Sequence, residues 1–266
     1  MKIGVMSNVP RTGKTTVMMS FAHVYSRSQG KVVAIFSTAS LSSVTDALKK
    51  IHSYDTASTP GVLRAFLETG SISGKEILDY AVKSGKDEVY VYDTIDTKDE
   101  VSSIDFLKRT IRTVSTDLIL VEIKGDPTTD SAKNIMNECD AILNVFNLDN
   151  QSISAVKEYA KSLDVKMAAK MRYLVNHYDD RIITEKKLSG LTKIAPKFMC
   201  VHSYSPLTVK LFLEGDYDIY ADRVVYGHED FTDIRTQCLK EIQMFFNTEK
   251  RKRVREVSDW PKRGVN

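Results

Sequence analysis

Gly13-Lys14-Thr15-Thr16 sets a flexible turn, a cation and two hydroxyls side by side, close to the start of the chain. That combination suits a bound polyphosphate. Backbone N–H groups and a helix N-terminus point at the anion, a lysine reaches the terminal phosphates, and a hydroxyl takes one position on Mg²⁺. The spacing assigns Lys14 to the phosphates and Thr15 to the metal, with Arg11, Thr12, Gly13 and Thr16 forming the cradle. A full loop of this kind carries Gly five residues before Gly13, where this chain has Asn8. Asn tolerates positive φ better than most residues, so the loop is weakened without being cancelled. The plainer reading is a Gly turn and two threonines starting a helix, with Lys14 solvated.

Carboxylates supply the second part of such a site. Glu122 ends the apolar run Leu118-Ile119-Leu120-Val121. A lone carboxylate at the end of a buried strand needs a reason, and either Mg²⁺ nearby or an ion pair with Lys14 or Lys124 provides one. Asp126 follows closely, although its place beside Pro127 fits a turn better. Asp93 also ends an apolar strand, but the later strand suits phosphate chemistry more closely. Met18, Met19, Met167, Met171 and Met199 read as core filling.

These groups need a scaffold, and the hydrophobic pattern describes one. Lys2 to Met6 is a short apolar strand leading into the loop. Met18, Phe21, Ala22 and Tyr25 then fall on one face of a helix. Further strands are expected at 32–36, 89–92, 118–121, 141–146, 172–176 and 198–201. Helical spacing covers 44–51, 61–67, 75–82, 101–114, 156–163 and 231–245. Continuous apolar strands alternating with helices predict an α/β fold: a three-layer αβα arrangement around a mostly parallel, doubly wound sheet. Ligands of such sheets sit beyond the carboxyl ends of the strands, where the loop, Glu122 and Asn176 all fall.

The 266 residues suit one substantial core, expected over 1–247, with 248–266 as a basic tail. A 42% hydrophobic share with 27% charge is that of a soluble globular protein. No apolar run is long enough to span a bilayer, and no secretory signal is evident. Cys139, Cys200 and Cys238 lie far apart in apolar settings, as do the dispersed histidines. They read as reduced core residues of a cytoplasmic protein, without metal-ligand spacing. The net charge of +3 conceals seven basic against three acidic residues between Glu249 and Arg263. Lys250-Arg251-Lys252-Arg253-Val254-Arg255 is either a solvated end or a weak contact for DNA or an acidic membrane. Val254, Val257 and Trp260 give too thin an apolar face for a strong membrane anchor.

Taken in order, these pieces resemble the MinD/ParA family of P-loop ATPases, including the TadZ/CpaE branch tied to pilus assembly. Val9-Pro10-Arg11-Thr12-Gly13-Lys14-Thr15-Thr16 lies over the family's deviant Walker A loop, Lys-Gly-Gly-x-Gly-Lys-Thr-Thr. Asp117 to Gly125 is similar to the strand and switch II, and Lys31 to Ile35 to the strand before switch I. Val175-Asn176 falls where many members place an adenine-reading Asn, although Asn176 could instead cap the strand's exit. Ser203-Tyr204-Ser205-Pro206 and Phe212 to Asp216 match the loop and helix that flank the base.

The resemblance implies the P-loop NTPase fold, ATP and Mg²⁺ as ligands, and a homodimer assembled on nucleotide. It gives Lys14 and Glu122 catalytic roles, Thr15 and Glu122 the metal, and Asn176 and Pro206 the base. A partner protein of a localised assembly, at the inner face of the membrane or a cell pole, is implied as well. The departures fall on the chemistry. Val9 replaces the signature lysine, Pro10 and Arg11 replace two glycines, Thr38 replaces the switch I Asp, and Glu122 replaces the switch II Asp. Losing a water-orienting carboxylate and a trans cation costs several kcal/mol at the barrier, roughly 10³-fold or more in rate. Slow or absent hydrolysis is therefore expected, with Arg11 either a replacement trans cation or a solvated loop residue. The alternatives are a ParA-like partition ATPase using the tail on DNA, and a nucleotide-free scaffold.

Overall fold

The computed structural model describes residues 1–39, 41, 60–92, 100–203 and 205–246. The expected helix at 44–51, Asp93, Tyr204 and the basic run at 250–255 lie outside the described residues.

The strands β1 (Lys2–Met6), β2 (Val33–Ser37), β3 (Val82–Lys83), β4 (Val89–Val91), β5 (Leu118–Glu122), β6 (Ala141–Asn147), β7 (Met171–Tyr178) and β8 (Met199–Ser203) form one sheet. Their order is β3-β4-β2-β5-β1-β6-β7-β8. Every pairing is parallel except β3 with β4. The helices are α1 (Lys14–Gln29), α2 (Pro60–Thr69), α3 (Glu100–Thr113), α4 (Asp130–Glu138), α5 (Asn150–Ser162), α6 (Val165–Lys170), α7 (Glu185–Thr192), α8 (Pro206–Glu214), α9 (Tyr217–Tyr226) and α10 (Thr232–Phe246). The fold is the expected three-layer α/β arrangement.

Alternation along each strand builds two cores, because successive side chains leave opposite faces of a sheet. Ile3, Val5, Ile35, Leu118, Leu120 and Leu143 face a layer made by α1, α9 and α10, with Val17, Phe21, Tyr220, Ile234 and Phe245 packed onto them. Phe36, Ile119, Val121, Ile142, Phe146 and Val175 face the other way, onto Ile111, Ile135, Val156 and Leu188 of α3, α4, α5 and α7. Burial on both faces is why these strands read as continuous apolar runs rather than alternating ones.

One expected element differs. The helix at 75–82 is a single 3₁₀ turn, Glu76–Tyr80, after which Val82 and Lys83 pair antiparallel with Val91 and Tyr90. The backbone groups of an exposed sheet edge were available there, and pairing with them outweighed helical spacing. Helices α4, α6, α7 and α9 were not read from the sequence. Three of these are capped by a Thr or Asp whose side chain accepts from the first turn, namely Thr129, Asp164 and Thr184.

β1 sits between β5 and β6 with Val5 beside both Glu122 and Leu143. Its exit therefore opens next to Glu122. Gly4 makes that crowding tolerable: a Cβ there would stand 2.9 Å from Ile142 Cδ1, 3.1 Å from Ile123 Cδ1 and 3.3 Å from Cys139 Sγ. Gly4→Val should lower stability by about 1–3 kcal/mol, the usual cost of overpacking a tight interior, read as a lower urea midpoint. An unchanged midpoint would contradict this packing.

Candidate functional site

Between β1 and α1 the chain makes a tight loop held partly by its own hydrogen bonds and partly from neighbouring strands. The buried Ser7 hydroxyl donates to the Val9 carbonyl at 2.7 Å. Asn8 Oδ1 accepts from Asn144 Nδ2 of β6 at 2.7 Å, so a neighbouring strand fixes the position where a fuller loop has Gly. Arg11 and Gly13 adopt φ of 60° and 78°, the left-handed region that costs a non-glycine residue about 1–2 kcal/mol. Arg11 bears that strain with its side chain exposed at the rim. The Thr12 carbonyl accepts from Asn176 Nδ2 at 2.9 Å. A Cβ on Gly13 would stand 2.4 Å from the same nitrogen, so position 13 needs glycine both for its φ and for this close approach.

The helix that follows has no side-chain cap and no acidic residue in its first turn. Its first amides and its dipole are thus left for an anion. Lys14 leans over the end of β5, donating to the Ile123 carbonyl at 3.0 Å. Burial pushes its ammonium pKa down, Glu122 works against that, and Lys124 adds to the lowering. Thr15 Oγ1 donates to Glu122 Oε1 at 2.7 Å. Glu122 is 1% exposed, and its Oε2 makes no hydrogen bond among the described residues. The Lys124 ammonium stands 3.8 Å away, in ion-pair range only.

A hydroxyl paired with a buried carboxylate that keeps one oxygen unsatisfied, beneath uncapped helix amides, fits Mg²⁺ carrying a polyphosphate. Thr15 and Glu122 would hold the metal, directly or through water. Lys14, Gly13, Thr16 and the loop amides would hold the phosphates. Above them opens a cavity of about 1000 Å³, lined by Ser7 to Thr16, Glu122, Lys124 to Thr128 and, from α5, Ala155, Glu158, Tyr159 and Ser162. That is at the upper end for a small-molecule site.

Several residues serve in ways the sequence did not disclose. Asn176 lies within β7 rather than at its exit, and its Nδ2 holds the loop at the Thr12 carbonyl. Pro206 begins α8 and is exposed, outside the lining of the large cavity. Thr38 Oγ1 accepts from the Lys124 N–H at 2.9 Å, and its own N–H donates to the Glu122 carbonyl at 2.9 Å. Its hydroxyl ties β2 to the chain after β5. Asp126, by contrast, does what its place beside Pro127 led one to expect: it accepts from both the N–H and the hydroxyl of Thr128 at 2.8 Å, closing a turn. Asn144 was overlooked, although an amide inside Ala141 to Phe146 was itself a signal that something polar lay opposite. Asn176→Ala should cost about 1–3 kcal/mol by orphaning a buried carbonyl and should speed hydrogen exchange at residues 12–16. Unchanged protection there would refute the strut role.

Comparison with known proteins adds the fold. No protein-family model matches the sequence, and no curated protein matches it. Among solved structures, MinD in the MinC:MinD cell division complex of Aquifex aeolicus aligns over 91% of this chain and 95% of that one, at 16% identity and TM-score 0.65. A ParA family ATPase from Chlorobium tepidum aligns over 90% and 97% of the two chains, at 12% identity and TM-score 0.64. MinD from Pyrococcus horikoshii, described as complexed with Mg-ADP, aligns over 91% and 95%, at 17% identity and TM-score 0.63. At these identities the likeness is one of architecture: the chain has the mostly parallel α/β fold of the MinD and ParA-family P-loop ATPases.

Proposed function

We propose that this chain binds ATP with Mg²⁺ in the large cavity, dimerises around the nucleotide, hydrolyses it slowly or not at all, and positions a partner protein. The carrying observation is the Thr15–Glu122 contact at 2.7 Å. It sets a metal-binding pair beneath a loop whose amides are open to an anion, on the fold of ATPases. Mg²⁺ would neutralise phosphate charge and orient the β- and γ-oxygens. Lys14 would leave the Ile123 carbonyl for the phosphates, and that carbonyl contact keeps its ammonium partnered until then.

Slow turnover follows from what surrounds the cavity. Phosphoryl transfer depends on positioning and charge stabilisation. Thr38 offers no carboxylate to orient a water, and its hydroxyl already accepts from the Lys124 amide. Val9 stands where a trans lysine would. Arg11, exposed at the rim with a permanent charge, is the available replacement. A protein that holds nucleotide without spending it suits a stable, localised assembly, such as pilus or secretion machinery, better than a cycle driven by hydrolysis.

Calorimetry with ATP and Mg²⁺ should show binding that Lys14→Ala abolishes. Absence of heat with the native chain would leave only a nucleotide-free scaffold. Turnover should fall roughly 10³-fold or more below that of active P-loop ATPases, and an ordinary rate would overturn the slow-hydrolysis reading. Arg11→Ala should weaken the nucleotide-bound dimer without weakening nucleotide binding to the monomer; a dimer of normal stability would return Arg11 to the solvent. Salt-sensitive, ATP-dependent retention of DNA would replace the assembly role with partition.

A further inference from the structure

Behind the phosphate loop, on the α10 side of the sheet, three side chains of different chemistry converge where the core is otherwise apolar. His202 comes from β8. Cys238 and Glu241 come from α10, three residues apart and so on one helical face. His202 Nε2 lies 3.0 Å from Glu241 Oε2 and 3.9 Å from Cys238 Sγ. One ligand atom from each of the three residues lies within 4.8 Å of the other two.

Glu241 is the anomaly. It is 0% exposed, and neither carboxylate oxygen makes a hydrogen bond among the described residues. His202 is close enough to Oε2 to form an ion pair, yet it leaves Oε1 with no partner. A buried carboxylate in that condition is costly, and a cation held between it, the histidine and the thiol would relieve that cost.

We propose that His202, Cys238 and Glu241 form a binding site for a borderline-soft divalent cation of the Zn²⁺ class. One nitrogen, one sulfur and one oxygen ligand are the donor set such an ion takes, and three protein ligands leave one position open. Metal–ligand bonds of about 2.0–2.3 Å in tetrahedral geometry place neighbouring donor atoms roughly 3.4–3.6 Å apart. The observed 3.0 and 3.9 Å from His202 bracket that spacing, and the Cys238 and Glu241 donors lie within 4.8 Å of each other. Charge also balances: the ion displaces both the thiol proton and the Nε2 proton that His202 directs at Glu241, and the thiolate with the carboxylate neutralises a divalent cation.

The fourth position has an approach. His202 and Tyr220 line a cavity of about 80 Å³ whose other walls include Gly13, Thr16 and Asn176, room for water ligands. The Tyr220 hydroxyl stands 4.0 Å from Cys238 Sγ. Gly13 and Thr16 also line the large cavity, so the site lies behind the phosphate loop. Cys200 is not part of it, since its thiol faces the Tyr173 carbonyl at 3.7 Å.

Cobalt(II) titration of the full chain, freed of metal with a chelator, tests the site. One equivalent should give visible ligand-field bands of a tetrahedral centre and a thiolate-to-cobalt charge-transfer band, both displaced by Zn²⁺. Cys238→Ser should remove the charge-transfer band. Glu241→Gln should weaken zinc affinity by more than the roughly 100-fold that loss of an outer partner costs. Cys200→Ala and Cys139→Ala should leave the spectrum intact. A native chain without the charge-transfer band overturns the proposal whether or not the variants fold, as does a band that survives Cys238→Ser or disappears with Cys200→Ala.

Discussion

The arrangement depends on one contact between the start of a helix and the end of a strand. Thr15, the second residue of α1, donates to Glu122, the last residue of β5. Because β1 pairs with β5 in register up to Glu122, the sheet delivers the carboxylate to the helix start with little freedom left to either side. The carboxylate is buried and keeps an unsatisfied oxygen. An apolar side chain at such a position would cost less, so the carboxylate gains nothing for stability there and is the group on which the proposed metal site rests.

The loop above that contact keeps a tight shape with few glycines. Glycine is retained at position 13, where φ is positive and Asn176 presses against the backbone. Elsewhere the shape is maintained by partners. Asn144 pins Asn8, Asn176 pins the Thr12 carbonyl, and Ser7 closes the first turn. Conformational permissiveness has been exchanged for hydrogen bonds supplied by β6 and β7.

What could be read from the sequence follows from how local each constraint is. The loop, the helix after it and Glu122 at a strand's end are properties of short stretches, so Gly13 to Thr16 and Glu122 were legible. The strands were legible because burial on both faces leaves continuous apolar runs. The pairing of Asn176 with Thr12 spans 164 positions, and no spacing rule reports it. The same holds for His202 with Cys238 and Glu241: two of the three share a helical face, but the histidine joins them only through the packing of α10 on β8. The edge strand at Val82 and Lys83 was misread because two residues carry no period of their own.

The central claim is that the backbone amides at the start of α1 enclose a polyphosphate although asparagine, proline and arginine have displaced the usual glycines. The most direct measurement is the amide resonances of Gly13, Lys14, Thr15 and Thr16 as ATP and Mg²⁺ are added. The account predicts large, saturable shifts at these amides, beyond those elsewhere in α1. Resonances that stay in place at saturating nucleotide would contradict it.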